Sequence, residues 1–195
     1  MELRFAPRGL VEFEEASIKW RNFSGAAKEF NTEGDRNFHI VIPDRELRQS
    51  EVDSFMDIYR DAHIVDGEDG PILMFENQEI ITVVDALNAL GWNVKFKAPR
   101  EEGDTGSYSL KVKVKFNDRG PLVQLISGRA INDLDERQVG SLDFIDIVYS
   151  DIVIRPYDWE SRFGTGRTAY LQKIYVTQEV DLFAEKYRRE EFPEE

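Results

Sequence analysis

Hydrophobic and polar positions alternate strictly over residues 110–116, where Leu110, Val112, Val114 and Phe116 are interleaved with Lys111, Lys113 and Lys115. Side chains along a strand point alternately to its two faces, so the pattern predicts one apolar face for the core and one face of three ammonium groups. The same alternation recurs in Val94-Lys95-Phe96-Lys97. Residues 92–98 and 108–116 are thus predicted strands, and the polar, glycine-containing stretch 99–107 predicts the loop of a hairpin between them. Such a hairpin places five lysines on one surface. Further strands are predicted at 11–23, 38–42, 71–76, 122–127, 143–159 and 169–178. Turn chemistry separates several of them, as in Asp118-Arg119-Gly120-Pro121 and Arg162 to Gly166.

After Pro43 the period changes. Leu47, Val52, Phe55, Met56 and Tyr59 recur at helical spacing with charges between them, predicting an amphipathic helix over 44–62. An acidic turn at 65–70 and the short strand 71–76 follow. Ile81, Val84 and Leu87 stand at helical offsets within 78–90, and Gly91 supplies a C-terminal stop. Residues 130–139 read as a short helix or loop, and 180–187 as a short helix. The pattern predicts a mainly β fold, a small closed or partly open β-barrel of the OB-like kind, with a helical acidic insertion at 44–90. A single domain is expected over 1–187, followed by an acidic C-terminal tail at 188–195.

Charge sharpens this picture. The 195-residue chain carries a formal net charge of −13, which by itself argues against a nucleic-acid binder. The average hides an asymmetry. Residues 44–90 hold twelve acids against three bases, whereas residues 91–130 hold eight bases against four acids. Salt screens charges over about 10 Å at ~0.1 M, so a local basic face still attracts phosphates on an acidic protein. There is no cysteine, which excludes disulfides and Cys-ligated zinc and fits a reducing cytoplasm. No apolar run approaches 18 residues, and the first ten residues have the character of neither a signal peptide nor an anchor.

The lysine pattern is the clearest chemical signal. Like charges opposed across a sheet are destabilising, so such a patch points to an anionic partner. The plain alternative is a solvated face, or edge-strand lysines that block aggregation. Aromatic residues accompany the bases. Trp92 and Tyr108 lie near the two lysine strands; Arg155, Tyr157 and Trp159 fall at i, i+2 and i+4; Tyr170 and Lys173 follow a turn flanked by Arg162 and Arg167. Single-strand binders combine a basic groove with aromatic platforms, although such rings are more often core than platform. Catalytic chemistry is thinly represented. His39 lies in an apolar strand and reads as structural; there is no nucleophile elbow and no phosphate-binding glycine loop. Asp133, Asp135 and Glu136, or Asp143, Asp146 and Asp151, form no hard-cation signature and read as turn formers and surface charges. No catalytic residue, metal ligand or cofactor is predicted.

Several stretches carry a resemblance. Asn22-Phe23-Ser24-Gly25, Glu33-Gly34-Asp35-Arg36-Asn37-Phe38, Leu90-Gly91-Trp92-Asn93-Val94-Lys95, the Lys111 to Lys115 strand, residues 152–159 (IVIRPYDW), Tyr170-Leu171 and Tyr175-Val176-Thr177 together resemble a group of bacteriophage single-stranded DNA-binding proteins. The resemblance implies an OB-type barrel with DNA crossing its face, no catalysis, and protection of single strands during phage replication or recombination. On that basis Lys95, Lys97, Lys111, Lys113, Lys115, Arg155, Arg167 and Lys173 are expected at phosphates. Trp92, Tyr108, Tyr157, Trp159 and Tyr170 are expected under bases. It also implies an acidic C-terminal tip that docks replication or recombination proteins, with Phe192 as anchor; here the tip ends on Phe192-Pro193-Glu194-Glu195 and not on an apolar residue. The alternatives are a phage protein-interaction module acting through the acidic segment, and a metal-dependent nuclease built on the clustered acids.

Overall fold

The computed structural model describes residues 1–29, 31–99 and 105–181. Thirteen strands and two helices run through them. They are β1 (Glu2–Ala6), β2 (Leu10–Ala16), β3 (Ile18–Asn22), β4 (Asn37–Ile42), α1 (Gln49–Ile58), β5 (His63–Gly67), β6 (Gly70–Phe75), β7 (Gln78–Ile80), α2 (Val83–Ala89), β8 (Val94–Lys97), β9 (Ser107–Lys113), β10 (Leu122–Ser127), β11 (Ala130–Asp133), β12 (Ile147–Ser161) and β13 (Gly164–Gln178). The fold is mainly β, as the alternation predicts. The predicted helix at 180–187 and the tail 188–195, Phe192 included, fall almost entirely outside the described residues.

The main sheet has the order β1-β2-β12-β13-β9-β4-β3, with β8 added to β9, β10 to β13 and β11 to β10. It is mixed: β13 pairs in parallel with β9 and β10, and the other pairings are antiparallel. Among the described residues no pairing joins β1 to β3, so the sheet is open and the closed form of the expected barrel is not formed. The apolar face of the terminal strand is covered in another way. Phe5 of β1 meets Phe55 of α1 with ring centroids 5.0 Å apart, and Phe55 meets Phe75 of β6 at 5.3 Å.

Alternate residues of the paired strands form the core. Phe5, Phe13, Ile152, Ile154, Leu171, Val112, Leu110 and Ile40 are all buried and lie on one face of the main sheet. The acidic segment packs on that same face through Phe55. It is not helical throughout: two short helices bracket a three-stranded sheet, β5-β6-β7. The predicted helix over 44–62 begins only at Gln49 because the preceding residues pair with the start of the second helix. Leu47 N–H donates to Ile81 O and Val83 N–H donates to Arg45 O, both at 3.0 Å. The second helix is likewise shorter than predicted. Thr82 Oγ1 accepts from Asp85 N–H at 3.1 Å while the Asp85 carboxylate accepts from Thr82 N–H at 2.9 Å. This reciprocal cap fixes the start at Val83 and leaves 78–80 extended.

One polar residue fastens this layer to the sheet. The Glu51 side chain is fully buried at the start of α1. It accepts from the Arg45 guanidinium at 2.7 and 2.8 Å, from Arg48 N–H at 2.8 Å and from Leu3 N–H at 3.0 Å. Burial alone would raise its pKa, but these donors outweigh burial and hold the carboxyl below its ordinary value. The sign follows by linkage: a depressed carboxyl contributes stability above its unfolded value near 4.5, and that contribution is lost as pH falls through the lower folded value. Glu51→Ala leaves the Leu3 and Arg48 N–H groups without their acceptor and takes the carboxylate from Arg45, which keeps Glu46 O and Met1 O; it is predicted to cost about 2–4 kcal/mol, read as a lowered urea midpoint with an unchanged slope.

Candidate nucleic-acid interface

Register decides which side chains share the outer face. Directly paired residues lie on the same side of a sheet. Arg155 pairs with Tyr170, Tyr170 with Lys113, and Lys113 with Asn37. One step along, Lys111 pairs with His39 and His39 with Lys19. Lys95 lies opposite Ser109 and Lys97 opposite Ser107, two and four positions before Lys111. Lys19, Lys95, Lys97, Lys111, Lys113, His39, Arg155 and Tyr170 therefore occupy one face, the side away from the core. Tyr157 and Trp159 continue it along β12, and Lys173 joins it opposite Val153. Lys115 lies two residues past the end of β9 and is exposed. Among the described residues no carboxylate pairs with Lys95, Lys113 or Lys115, whereas Lys111 lies 3.9 Å from Asp35 and 3.5 Å from Asn31 Oδ1.

Two aromatic stations flank the bases. On β12 and β13, Tyr157 and Tyr170 meet edge to face at 5.7 Å, and the Arg155 guanidinium stands 5.0 Å from the Tyr170 ring. Trp159 is 42% exposed, and its ring lies so close over Gly166 that no Cβ fits there. At the other end, Trp20 is 39% exposed beneath Lys97, whose Nζ stands 4.0 Å from the ring centroid, and meets His39 edge to face at 5.1 Å. Trp20 adopts φ 49° within a bulge of β3, between the paired positions Lys19 and Asn22. The sequence pattern does not signal this station, because an irregular backbone turns the ring where strict alternation would not. The outer face changes sign across the sheet. Glu12 and Asp151 occupy it on β2 and β12, and Arg4 pairs with Glu12 at 3.5 Å.

Several predicted site residues lie elsewhere. Trp92 is 2% exposed and belongs to the core, where no base can cover it. Arg167 pairs with Asp158 on the opposite side of the β12–β13 ribbon, at 2.6 and 3.0 Å. It also donates to Leu90 O and stands 5.3 Å from the Trp92 ring. It anchors the ribbon to the loop after α2, and a fully engaged guanidinium has little left for phosphate. Tyr108, at the start of β9, shares the core-side face with Leu110 and lies against Phe96 at 5.2 Å. The aspartates have structural work: Asp143 accepts from Phe23 and Ser24 N–H groups at 2.8 and 2.9 Å, and Asp151 accepts from Glu15 N–H at 2.8 Å. Among the described residues no cluster of three or more His, Asp or Glu could hold a metal ion, and no helix is long and apolar enough to cross a membrane.

A family model described as "Putative phage ssDNA-binding domain" matches residues 4–75 and 76–195. The chain belongs to this family. Three solved structures of the single-stranded DNA-binding protein from bacteriophage Enc34 are similar to this family member. The complex with ssDNA is 12% identical, over 89% of this chain and 88% of that chain, with TM-score 0.48. The protein without DNA is 11% identical, over 93% and 92%, with TM-score 0.48. A C-terminal truncation is 13% identical, over 93% and 97%, with TM-score 0.48. At that TM-score the likeness carries no weight for fold or function. A comparison with curated proteins finds no match.

His39 reports the field of the basic face. Burial, then the nearby Lys97 and Lys111 charges, push its pKa from 6.5 to about 4. The ring is neutral at pH 7, with Nδ1 3.2 Å from Ser109 Oγ. Between those two values the unfolded chain binds a proton at His39 that the folded protein refuses, so the His39 contribution to stability falls as pH drops from about 6.5 to about 4 and is level on either side. Thermal unfolding measured across that window is predicted to show this limb in the parent protein and to lack it in His39→Gln.

Proposed function

We propose that the protein is a non-catalytic, sequence-tolerant binder of single-stranded DNA, acting on strands exposed during phage replication or recombination in the host cytoplasm. The observation that carries this reading is the shared outer face: lysines from β8 and β9 between the Tyr157–Tyr170–Arg155 station and the Trp20 station. Ammonium groups neutralise phosphates without regard to sequence, and every base has a π-face, so rings add affinity without selecting a base. Family membership supports the same reading. A strand runs from Trp20 and Lys97 across Lys111 and Lys113 to Tyr170 and Arg155, with Trp159 and Lys173 at the margin.

The finer parts of the reading rest on less. We read the open sheet as an unrolled OB-type arrangement within a single domain, supported by the bulges that bend β12 and β13 around the core. The acidic segment serves as a core-side layer, since α1 reaches β1 through Phe55 and Glu51, away from the lysines. The tail with Phe192 is proposed to dock replication or recombination proteins. A second reading, a protein-interaction module, draws on exposed Ile64 and Ile81 beside Glu68, Asp69 and Glu79 in the acidic segment. It predicts no gel shift of single-stranded DNA at low salt.

Lys111→Glu combined with Lys113→Glu is predicted to abolish binding to oligothymidine at ~0.1 M salt without unfolding the chain, as circular dichroism reads it. Replacing the same pair by Gln is predicted to flatten the slope of log affinity against log salt by about 1.4, at about 0.7 per phosphate contact on single strands. Normal affinity in the folded Glu variant contradicts the proposal.

A further inference from the structure

A cleft beyond the end of β9 gathers four cations. Arg8, Lys115, Arg119 and Arg155 line it together with Asn117 and Gln172; none of its lining residues is acidic or aromatic. On a chain with 38 acids against 25 lysines and arginines, that composition is pronounced. Among the described residues no carboxylate pairs with any of the four cations.

The backbone holds two of these side chains in place. Arg8 sits between Pro7 and Gly9 with φ 65°, the left-handed region that a residue with a Cβ seldom adopts. Gly9 packs so tightly on β12 that an added Cβ would stand 3.0 Å from Pro156 Cγ. The strained turn is therefore fixed against the strand that carries Arg155. Arg119 lies in a turn closed by Asn117 and Gly120, whose backbones bond each other at 2.9 and 3.1 Å; the Asn117 side chain accepts from Arg119 N–H at 2.9 Å. Backbone strain of this kind persists where surrounding structure over-determines it and is concentrated at functional positions. Gln172 adds a polar group, a buried amide oxygen with no hydrogen-bond partner. A half-turn of that amide exchanges the oxygen for a donor NH₂.

We infer that this cleft is a second phosphodiester site, one that grips the backbone of a single strand without reading or stacking its bases. The inference rests on the sheet-face reading, because Arg155 and Lys115 make the cleft continuous with the lysine face. The strand leaves the sheet past Tyr170 and Arg155 and drops into the cleft, so the footprint is longer than the aromatic stations alone imply. Four cations with no carboxylate partner, in a cleft whose own lining holds no ring, suit sugar-phosphate and not nucleobases; Arg155, 5.0 Å from the Tyr170 ring, joins the cleft to the aromatic station.

The test uses the full chain and an oligothymidine that spans the sheet face, alone or extended at one end by abasic sugar-phosphate units. In the parent protein an extension at one of the two ends should tighten binding and steepen the salt slope by about 1.4, the value for two added contacts. Arg8→Asn with Arg119→Gln should lose that gain and bind the unextended oligonucleotide normally; asparagine tolerates the left-handed backbone, and an unchanged melting temperature confirms folding. The inference is overturned if neither extension alters the slope in the parent protein, or if the variant keeps the gain. Failure of the parent protein to bind the unextended oligonucleotide refutes the sheet-face reading itself, and the cleft's role falls with it.

Discussion

Two backbone pairs, Ala169 with Val112 and Tyr170 with Lys113, join β13 to β9 in parallel. The composition of the outer face depends on that short seam. Side chains have period two along a strand, so a slip of one residue would send the lysines into the core and Val112 out to water. The register is pinned from both sides. Val112 and Ala169 are buried, and six consecutive pairs hold β9 to β4. Burying even one ammonium group without a partner costs far more than the seam contributes. The sheet therefore has one register available, and that register sets the Tyr170 station beside the lysines.

The same geometry reconciles a charge of −13 with a polyanionic partner. Acids are concentrated where a strand on the outer face does not pass: in the layer that α1 packs on the core side, and on the outer face of β1, β2 and the first half of β12. Bases collect on β8 and β9, with Arg155 of β12 beside them. Screening confines each field to about 10 Å at ~0.1 M salt, so the basic face acts almost alone at contact distance. At longer range the acidic end repels a misplaced strand, and the gradient across the face orients the encounter. Burial keeps His39 neutral, and the Lys97 and Lys111 charges add to it, because a charged imidazole there would be a third repelling cation.

What was legible in the sequence was local. Alternation in Leu110 to Phe116 identified the lysine face, since period two needs no tertiary information, and the same logic placed Arg155, Tyr157 and Trp159 together. What was not legible depended on distant partners. Arg167 reads as a phosphate ligand in sequence, but pairing with Asp158 and Leu90 O puts it behind the ribbon; Trp92 reads as a platform, but the core closes over it. Residues 45–47 carry a helical pattern but pair with 81–83, a choice that only the fold can impose. Trp20 is not legible, because a bulge with positive φ breaks the alternation that would reveal it. Closure of the sheet into a barrel depends on whether its two terminal edges meet, and no residue pattern records that.

Chemical footprinting of the lysines tests the account most directly. Acetylation rates are measured for each lysine by mass spectrometry, with and without saturating oligothymidine, and a duplex of equal length serves as control. The account predicts strong protection of Lys95, Lys97, Lys111, Lys113 and Lys115 by the single strand and little by the duplex. Saturated binding that leaves those five lysines as reactive as in the unliganded protein would contradict it.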